Sequence, residues 1–214
     1  MLYIPPHFRE TDTAVLQQAI KRIGFATLTT VGPDGPLISH LPVFFDTGVG
    51  AFGQFRCHVA RANPQWRDSD FSKTALAVFM GPDTYVSPSW YPSKKEHGKA
   101  VPTWNYVSIC ARGRIEVFQD RDELAAHVAE LSNLHEAAFP QPWQVSDAPA
   151  NYIEGQLKGI VGFRFTIDTL EGKMKLSQNR SKDDRTGVAA ALTASSDTNA
   201  RAVGDLMNLT QPEA

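Results

Sequence analysis

Two short stretches hold the side chains best suited to chemistry. The first is His58-Val-Ala-Arg61-Ala-Asn63-Pro-Gln65-Trp66, placed where a strand runs out into a turn, which is where binding groups usually sit. A guanidinium such as that of Arg61 grips a phosphate through parallel N–H donors, and the backbone N–H groups of a turn add to it. The competing reading makes Arg61 a surface ion-pair partner and Asn63 the opener of an Asx turn before Pro64. The second stretch is Lys173-Met-Lys175-Leu-Ser177-Gln178-Asn179-Arg180. If extended, it puts Lys173, Lys175, Ser177 and Asn179 on one side and Leu176 and Gln178 on the other. Two amide side chains beside an Arg suit a heterocycle edge that carries both donors and acceptors. Its alternative is a solvated basic turn neutralised by Asp183 and Asp184.

Between them lies Tyr85 to Tyr106, which concentrates two of the chain's four Trp and three of its five Tyr among prolines, serines and the Lys94-Lys95 pair. Neither a helical period nor sustained alternation fits this stretch, so it reads as a loop with short extended pieces at each end. Large aromatics on a loop need a covering surface. That surface is the chain's own core, a second subunit or a flat aromatic ligand.

Other chemistries lack their signatures. The six histidines form no HExxH, HxH or Cys/His cluster, so no metal site is expected. GxSxG, a P-loop and GxGxxG are absent, and His40 reads as a half-buried strand residue. Cys57 and Cys110 have no CxxC spacing, which points to a reducing compartment rather than a disulfide framework. The start, MLYIPPHFRE, has no apolar signal-like run, so a cytoplasmic protein is expected. A net charge of −2 and a pI near 6.3 argue against a broadly nucleic-acid-binding surface, leaving only a local patch open. The predicted helix around Leu124 to Leu134 carries Glu123 and Glu130 and no Lys or Arg, the wrong charge for reading a major groove.

The elements that must position these groups follow from period and punctuation. Thr11 or Asp12 caps a helix with Val15, Leu16, Ala19, Ile20 and Ile23 on one face, ended by Gly24. FATLTTV and PLISHLPVFF flank a GPDG turn as a hairpin. Ala51 to Val59, the apolar run Thr74 to Met80, and the alternating Trp104 to Phe118 supply further strands. Asp120 with Glu123 resembles a capping box, and Asp147 is expected to cap a later helix. GFRFTI, residues 162–167, is the last predicted strand. A basic turn and a predicted helix come next, and residues 193–214 read as a mobile or weakly helical tail. Six or seven strands in hairpin order with peripheral helices predict an α+β antiparallel barrel over residues 1–192.

YIPPHFRETD, HVARANPQW, GPDTYVSPSWYPSK, VPTWNY, HEAAFP with PWQVSDAP, and LEGKMKLSQNRSKDDRTGV together resemble the PaiB family over about Met1 to Leu192. Cys57 stands where that pattern leads one to expect Gly before His58. The resemblance implies a split barrel of the flavin-reductase type that binds FMN as a homodimer, with the flavin in a cleft between subunits. It implies a negative transcriptional regulator. The alternative is an FMN-dependent oxidoreductase, or a flavin carrier without turnover. A flavin needs a phosphate cradle, a polar edge for its pyrimidine and apolar walls. His58, Arg61 and Asn63, with Lys94 as a second cation, are the expected cradle. Ser87 and Ser89 offer hydroxyls, and Trp90, Tyr91 and Trp104 offer walls. Gln178, Asn179 and Arg180 are carried over from a similar short segment in pyridoxine-phosphate oxidases.

Overall fold

Gly24 ends the first helix by taking φ of 62°, which lets its N–H reach Ile20 O at 2.8 Å; only glycine enters that region without strain. A computed structural model describes residues 2–210, leaving out Met1 and the last four residues, so part of the expected tail lies outside it. The chain divides into two compact units: Thr13–Phe79 with Cys110–Leu170, and Met1–Asp12 with Met80–Ile109 and Glu171–Ala214.

The first unit opens with α1 (Thr13–Ile23), which buries Leu16 and Ile20 and keeps Lys21 and Arg22 in its last turn, where the helix dipole favours cations. β2 (Phe25–Gly32) and β3 (Gly35–Pro42) pair from Phe25 opposite Pro42 to Gly32 opposite Gly35. That leaves Pro33-Asp34 as the predicted turn. β4 (Phe44–Asp46) pairs with β5 (Gln54–Ala60), which alternates to bury Phe55, Cys57 and Val59. A short α2 (Gln65–Asp68) follows. Phe55 stacks on Phe165 with centroids 4.6 Å apart and meets Phe79 edge-on, the offset geometry that aromatic quadrupoles favour. α4 (Arg121–Glu136) starts where Asp120 Oδ1 accepts from the N–H groups of Asp122 and Glu123, both at 3.0 Å. Asp147 caps no α-helix. Its carboxylate accepts from Gln144 N to close a single 3-10 turn, and α5 (Ala150–Lys158) begins after Pro149.

The second unit holds β1 (Arg9–Glu10), α3 (Ser93–His97), α6 (Lys182–Thr193) and α7 (Thr198–Leu209). Three long strands, β6 (Ala75–Val86), β7 (Thr103–Phe118) and β8 (Ile160–Lys175), have residues in both units. β8 outruns the predicted 162–167 because Arg9 and Glu10 pair with Lys173 and Gly172, giving its outer half a ladder that sequence periodicity does not show. The tail expected to be mobile or weakly helical carries α7. Asp197 caps α7 by accepting from Ala200 N at 3.0 Å, and Ala200, Val203 and Met207 are buried with Leu192, Val188, Tyr91 and Val86. Its polar, small-residue composition looked loose; Ala200 and Gly204 are small because α7 packs closely on α6, and a Cβ at Gly204 would lie 2.7 Å from Thr193 Oγ1.

The strand order is β3-β2-β6-β7-β8-β5-β4 with β1 added on β8. This is an eight-stranded sheet where six or seven strands were expected, the addition being the two-residue β1. The β2–β3, β2–β6, β4–β5, β5–β8 and β1–β8 pairs are all antiparallel, so the α+β antiparallel class holds. Among the described residues no helix is long and apolar enough to cross a membrane.

Candidate functional site

In the second unit the aromatic stretch leaves β6 at Val86 and rejoins β7 at Thr103, the loop with extended ends that its composition predicts. Ser87 Oγ accepts from Ser89 N at 3.2 Å and starts a 3-10 turn over Pro88–Trp90. Lys94 Nζ reaches Ser89 Oγ at 3.5 Å from the exposed α3. Trp90 is half-buried and Tyr91 fully so, both packed on the core of α6 and α7. Gly187 of α6 has no side chain because a Cβ there would lie 2.4 Å from Trp90 O. Two aromatics stay open: Tyr85 is 46 % exposed and Trp104 53 %, and they meet edge-on with centroids 6.5 Å apart.

The turn after β8 approaches the same loop. Its strand ends at Lys175, whose Nζ donates to Thr103 Oγ1 at 2.7 Å and to Trp104 O. Burial, then the charges of Lys173 and Arg180, pull the Lys175 ammonium below its ordinary pKa. The chain then bends at Ser177, so the predicted one-sided array of Lys173, Lys175, Ser177 and Asn179 does not form. Gln178 is turned inward: its Oε1 accepts from Leu176 N at 2.7 Å and its Nε2 donates to Met174 O at 2.5 Å. Asn179 and Arg180 face outward and line a cleft of about 580 Å³ with Pro92, Ser93, His97 and Lys99. The Arg180 guanidinium sits 4.9 Å from the centre of the Tyr91 ring and, among the described residues, makes no ion pair. Burial raises the Tyr91 phenol, and the Arg180 charge opposes it. Glu96, Asp183 and Asp184 form an acidic wall of the cleft. Asp184 is already committed, accepting from Ser93 N at 3.1 Å and Ser93 Oγ at 2.8 Å.

His58, Arg61 and Asn63 lie in the other unit and are engaged by their own chain. Arg61 donates from Nε to Lys158 O at 2.7 Å, from one terminal nitrogen to Gln119 Oε1 at 2.7 Å and from the other to Ile160 O at 2.9 Å. Asn63 opens the Asx turn, accepting from Gln65 N and donating to Ser39 Oγ, both at 2.9 Å. His58 Nδ1 is hydrogen-bonded to Nε2 of His127, a residue the sequence reading passed over although it lies three residues from Leu124 and four from Leu131 on the same helical stripe. Cys57, the departure from the family pattern, is a buried strand residue whose thiol burial pushes up to about 12, so it is inert. Ser93, His97, Lys99 and Ser181 line the cleft too without having been singled out; only the placement of Ser93, His97 and Lys99 inside the aromatic loop signalled them.

Residues 2–169 match the family described as "Putative FMN-binding domain". The Bacillus subtilis protein named Protease synthase and sporulation protein PAI 2 is 31 % identical over 206 residues, covering 96 % of both chains. The chain belongs to the PaiB family of FMN-binding proteins. An uncharacterized Emericella nidulans protein is 36 % identical over 222 residues, covering 87 % of this chain and 88 % of that one. Among solved structures, the flavocytochrome Anf3 of Azotobacter vinelandii superposes with a TM-score of 0.57 at 9 % identity, covering 86 % of this chain and 78 % of that one. A FAD and heme binding protein of Mycobacterium smegmatis gives 0.52 at 16 % identity, over 83 % and 78 %. At such identities the likeness concerns the fold, the split barrel that the family implies. The cofactor of this PaiB-family chain is FMN. The cleft suits a group of that kind: its volume is in the usual range for small-molecule sites, and Arg180 and Lys99 in its lining, the former without an ion pair among the described residues, suit a phosphate.

Proposed function

We propose that the second unit carries the FMN contacts of this PaiB-family chain, and that the protein works as a homodimeric, flavin-dependent negative regulator of transcription. The observation that carries the site is Arg180, a half-buried guanidinium on the Tyr91 ring, without an ion pair among the described residues, at the wall of a polar cleft. Its fork takes the FMN phosphate, with Asn179, Lys99 and the N–H groups opening α6 beside it. The acidic wall makes this a matter of placed donors rather than net charge. Trp104 and Tyr85 offer the flat apolar surface that an isoalloxazine ring needs, and what that ring supplies when bound is reversible electron uptake. Ser87, Ser89, Trp90, Tyr91, Lys94 and Gln178 act here by shaping the loop and turn. Fluorescence titration of FMN into the flavin-free protein tests the site: Arg180→Ala should weaken binding, and unchanged affinity sinks the assignment.

The regulator reading is supported by the family and by one local feature. Lys94, Lys95 and Lys99 are exposed on α3 and just after it, a basic patch on a chain of net charge −2. Salt-sensitive gel shifts on the upstream DNA of the protein's own gene are expected at low ionic strength, and no shift there would overturn direct DNA contact. The second reading, an FMN-dependent oxidoreductase, is favoured by the redox-cofactor names of its fold neighbours and by the open Tyr85–Trp104 face. Steady NADH or NADPH oxidation by the FMN-loaded protein would select it.

A further inference from the structure

Ser177 is, among the described residues, the one non-glycine with positive φ, at 65°, a left-handed conformation that costs an ordinary side chain energy and persists only where the surroundings enforce it. Here they do. Asn105, at the start of β7 and fully buried, donates from Nδ2 to Ser177 Oγ at 2.9 Å, while its Oδ1 lies 3.3 Å from the same hydroxyl as acceptor. Nδ2 also reaches Met207 Sδ of α7 at 3.4 Å. The bend at Ser177 is what turns the chain out of β8: Arg180 N–H closes on Ser177 O at 3.0 Å, and Ser181 then caps α6 by accepting from Asp184 N at 3.2 Å. Gln178 and Ser181 brace the turn from within its own sequence. Asn105 is the brace that comes from elsewhere.

We infer that Asn105 is a positioning residue for FMN: by holding Ser177 left-handed, it aims Asn179 and Arg180 into the cleft, and it ties that turn to the C-terminal helix α7. This rests on the reading that the turn contacts FMN. Among the described residues the buried Asn105 amide bonds only the Ser177 hydroxyl and the thioether of α7, so its cost is offset in the conformation it fixes. Glycine adopts φ near 65° without help, so it should make the brace dispensable, whereas alanine keeps the strain and loses the hydroxyl.

The test is FMN affinity of the full chain by flavin fluorescence quenching, with far-UV circular dichroism as the check on folding. Asn105→Ala and Ser177→Ala should each weaken FMN about tenfold, the scale of one lost buried hydrogen bond. Ser177→Gly should stay within about twofold of the unaltered protein, and Asn105→Ala added to Ser177→Gly should cost little more. If instead Asn105→Ala weakens FMN equally in the serine and glycine backgrounds, Asn105 is a core residue only and the inference is overturned. Wild-type affinity in Asn105→Ala and Ser177→Ala, with Arg180→Ala impaired, also overturns it while leaving the FMN turn standing. Wild-type affinity in Arg180→Ala overturns the underlying site reading. Because Asn105→Ala can lower stability by itself, its effect in the Ser177→Gly background, where the backbone needs no brace, decides the matter.

Discussion

His58 Nδ1 and His127 Nε2 lie 3.1 Å apart, joined in a hydrogen bond that needs one nitrogen protonated and the other bare. The pair is walled by the Phe118 ring, edge-on to His127 at 6.1 Å, and by Arg56, which is itself held to Glu130 at 2.5 Å. Among the described residues, His127 Nδ1 is buried without a hydrogen-bond partner. Burial first, then the charges of His58 and Arg56, push the His127 imidazole down to about 3, and burial lowers His58 as well.

Acid should therefore unfold this protein earlier than a chain without the pair. Both folded pKa values lie below the ordinary 6.5, so the unfolded chain takes up protons first. The stability is fully present above about pH 6.5 and is lost as pH falls towards the folded values. Urea melts across this range should show a steeper acid loss for the unaltered protein than for His127→Leu. Equal slopes would remove the pair from the account.

Arg61 and Arg180 should separate cleanly. Arg180→Ala is expected to weaken FMN by about 1–3 kcal/mol with little change in melting temperature. Arg61→Ala strips the donors from Lys158 O, Ile160 O and Gln119 and should cost about 1–3 kcal/mol of stability, with FMN affinity kept. Titration and thermal melts on both variants check this, and the reverse pattern would return the phosphate to Arg61.

Self-association should depend on the open aromatic face. Tyr3, Tyr85, Val101 and Trp104 are large apolar residues left exposed in one unit, and Tyr85 and Trp104 touch edge-on, the kind of gathered apolar surface a partner covers. Light scattering should give the mass of two chains, and Trp104→Glu should shift it towards one. A dimer untouched by that charge would place its interface elsewhere.

Helix α7 should behave as core. Val203 is fully buried against Tyr91, Leu176 and Val188, so Val203→Asp should cost about 3 kcal/mol or more, as an unpaired charge in an apolar site does. A variant that melts like the unaltered protein would return these residues to a loose tail.

What could be read in advance was whatever local chemistry decides. The β2–β3 hairpin follows from its Pro-Asp-Gly turn and its alternation, and α1 and α4 from Gly24 and the Asp120 cap. The missed features depend on partners far along the chain. The outer half of β8 is a strand because of Arg9 and Glu10, and α7 is ordered because small residues seat it on α6. The side-chain types of Gln178, Asn179 and Arg180 suggested a polar edge for a cofactor, but the inward turn of Gln178 is decided by the backbone of Met174 and Leu176 once the bend exists. Arg61 looked available because two of its three acceptors are backbone carbonyls 97 and 99 positions away, which no side-chain pattern displays.

The family match stops at residue 169, yet Val86 and Tyr91, well inside it, are buried against Leu176, Val188, Leu192, Val203 and Met207. A fragment cut at that border would put its own aromatic loop into water and would have no bend at Ser177 to aim. The family's domain model is thus shorter than the unit that folds, whereas the likeness to PAI 2 runs over 206 residues. A substitution at Leu176, Val188 or Met207 therefore falls on the core beneath the aromatic loop rather than on a dispensable appendage.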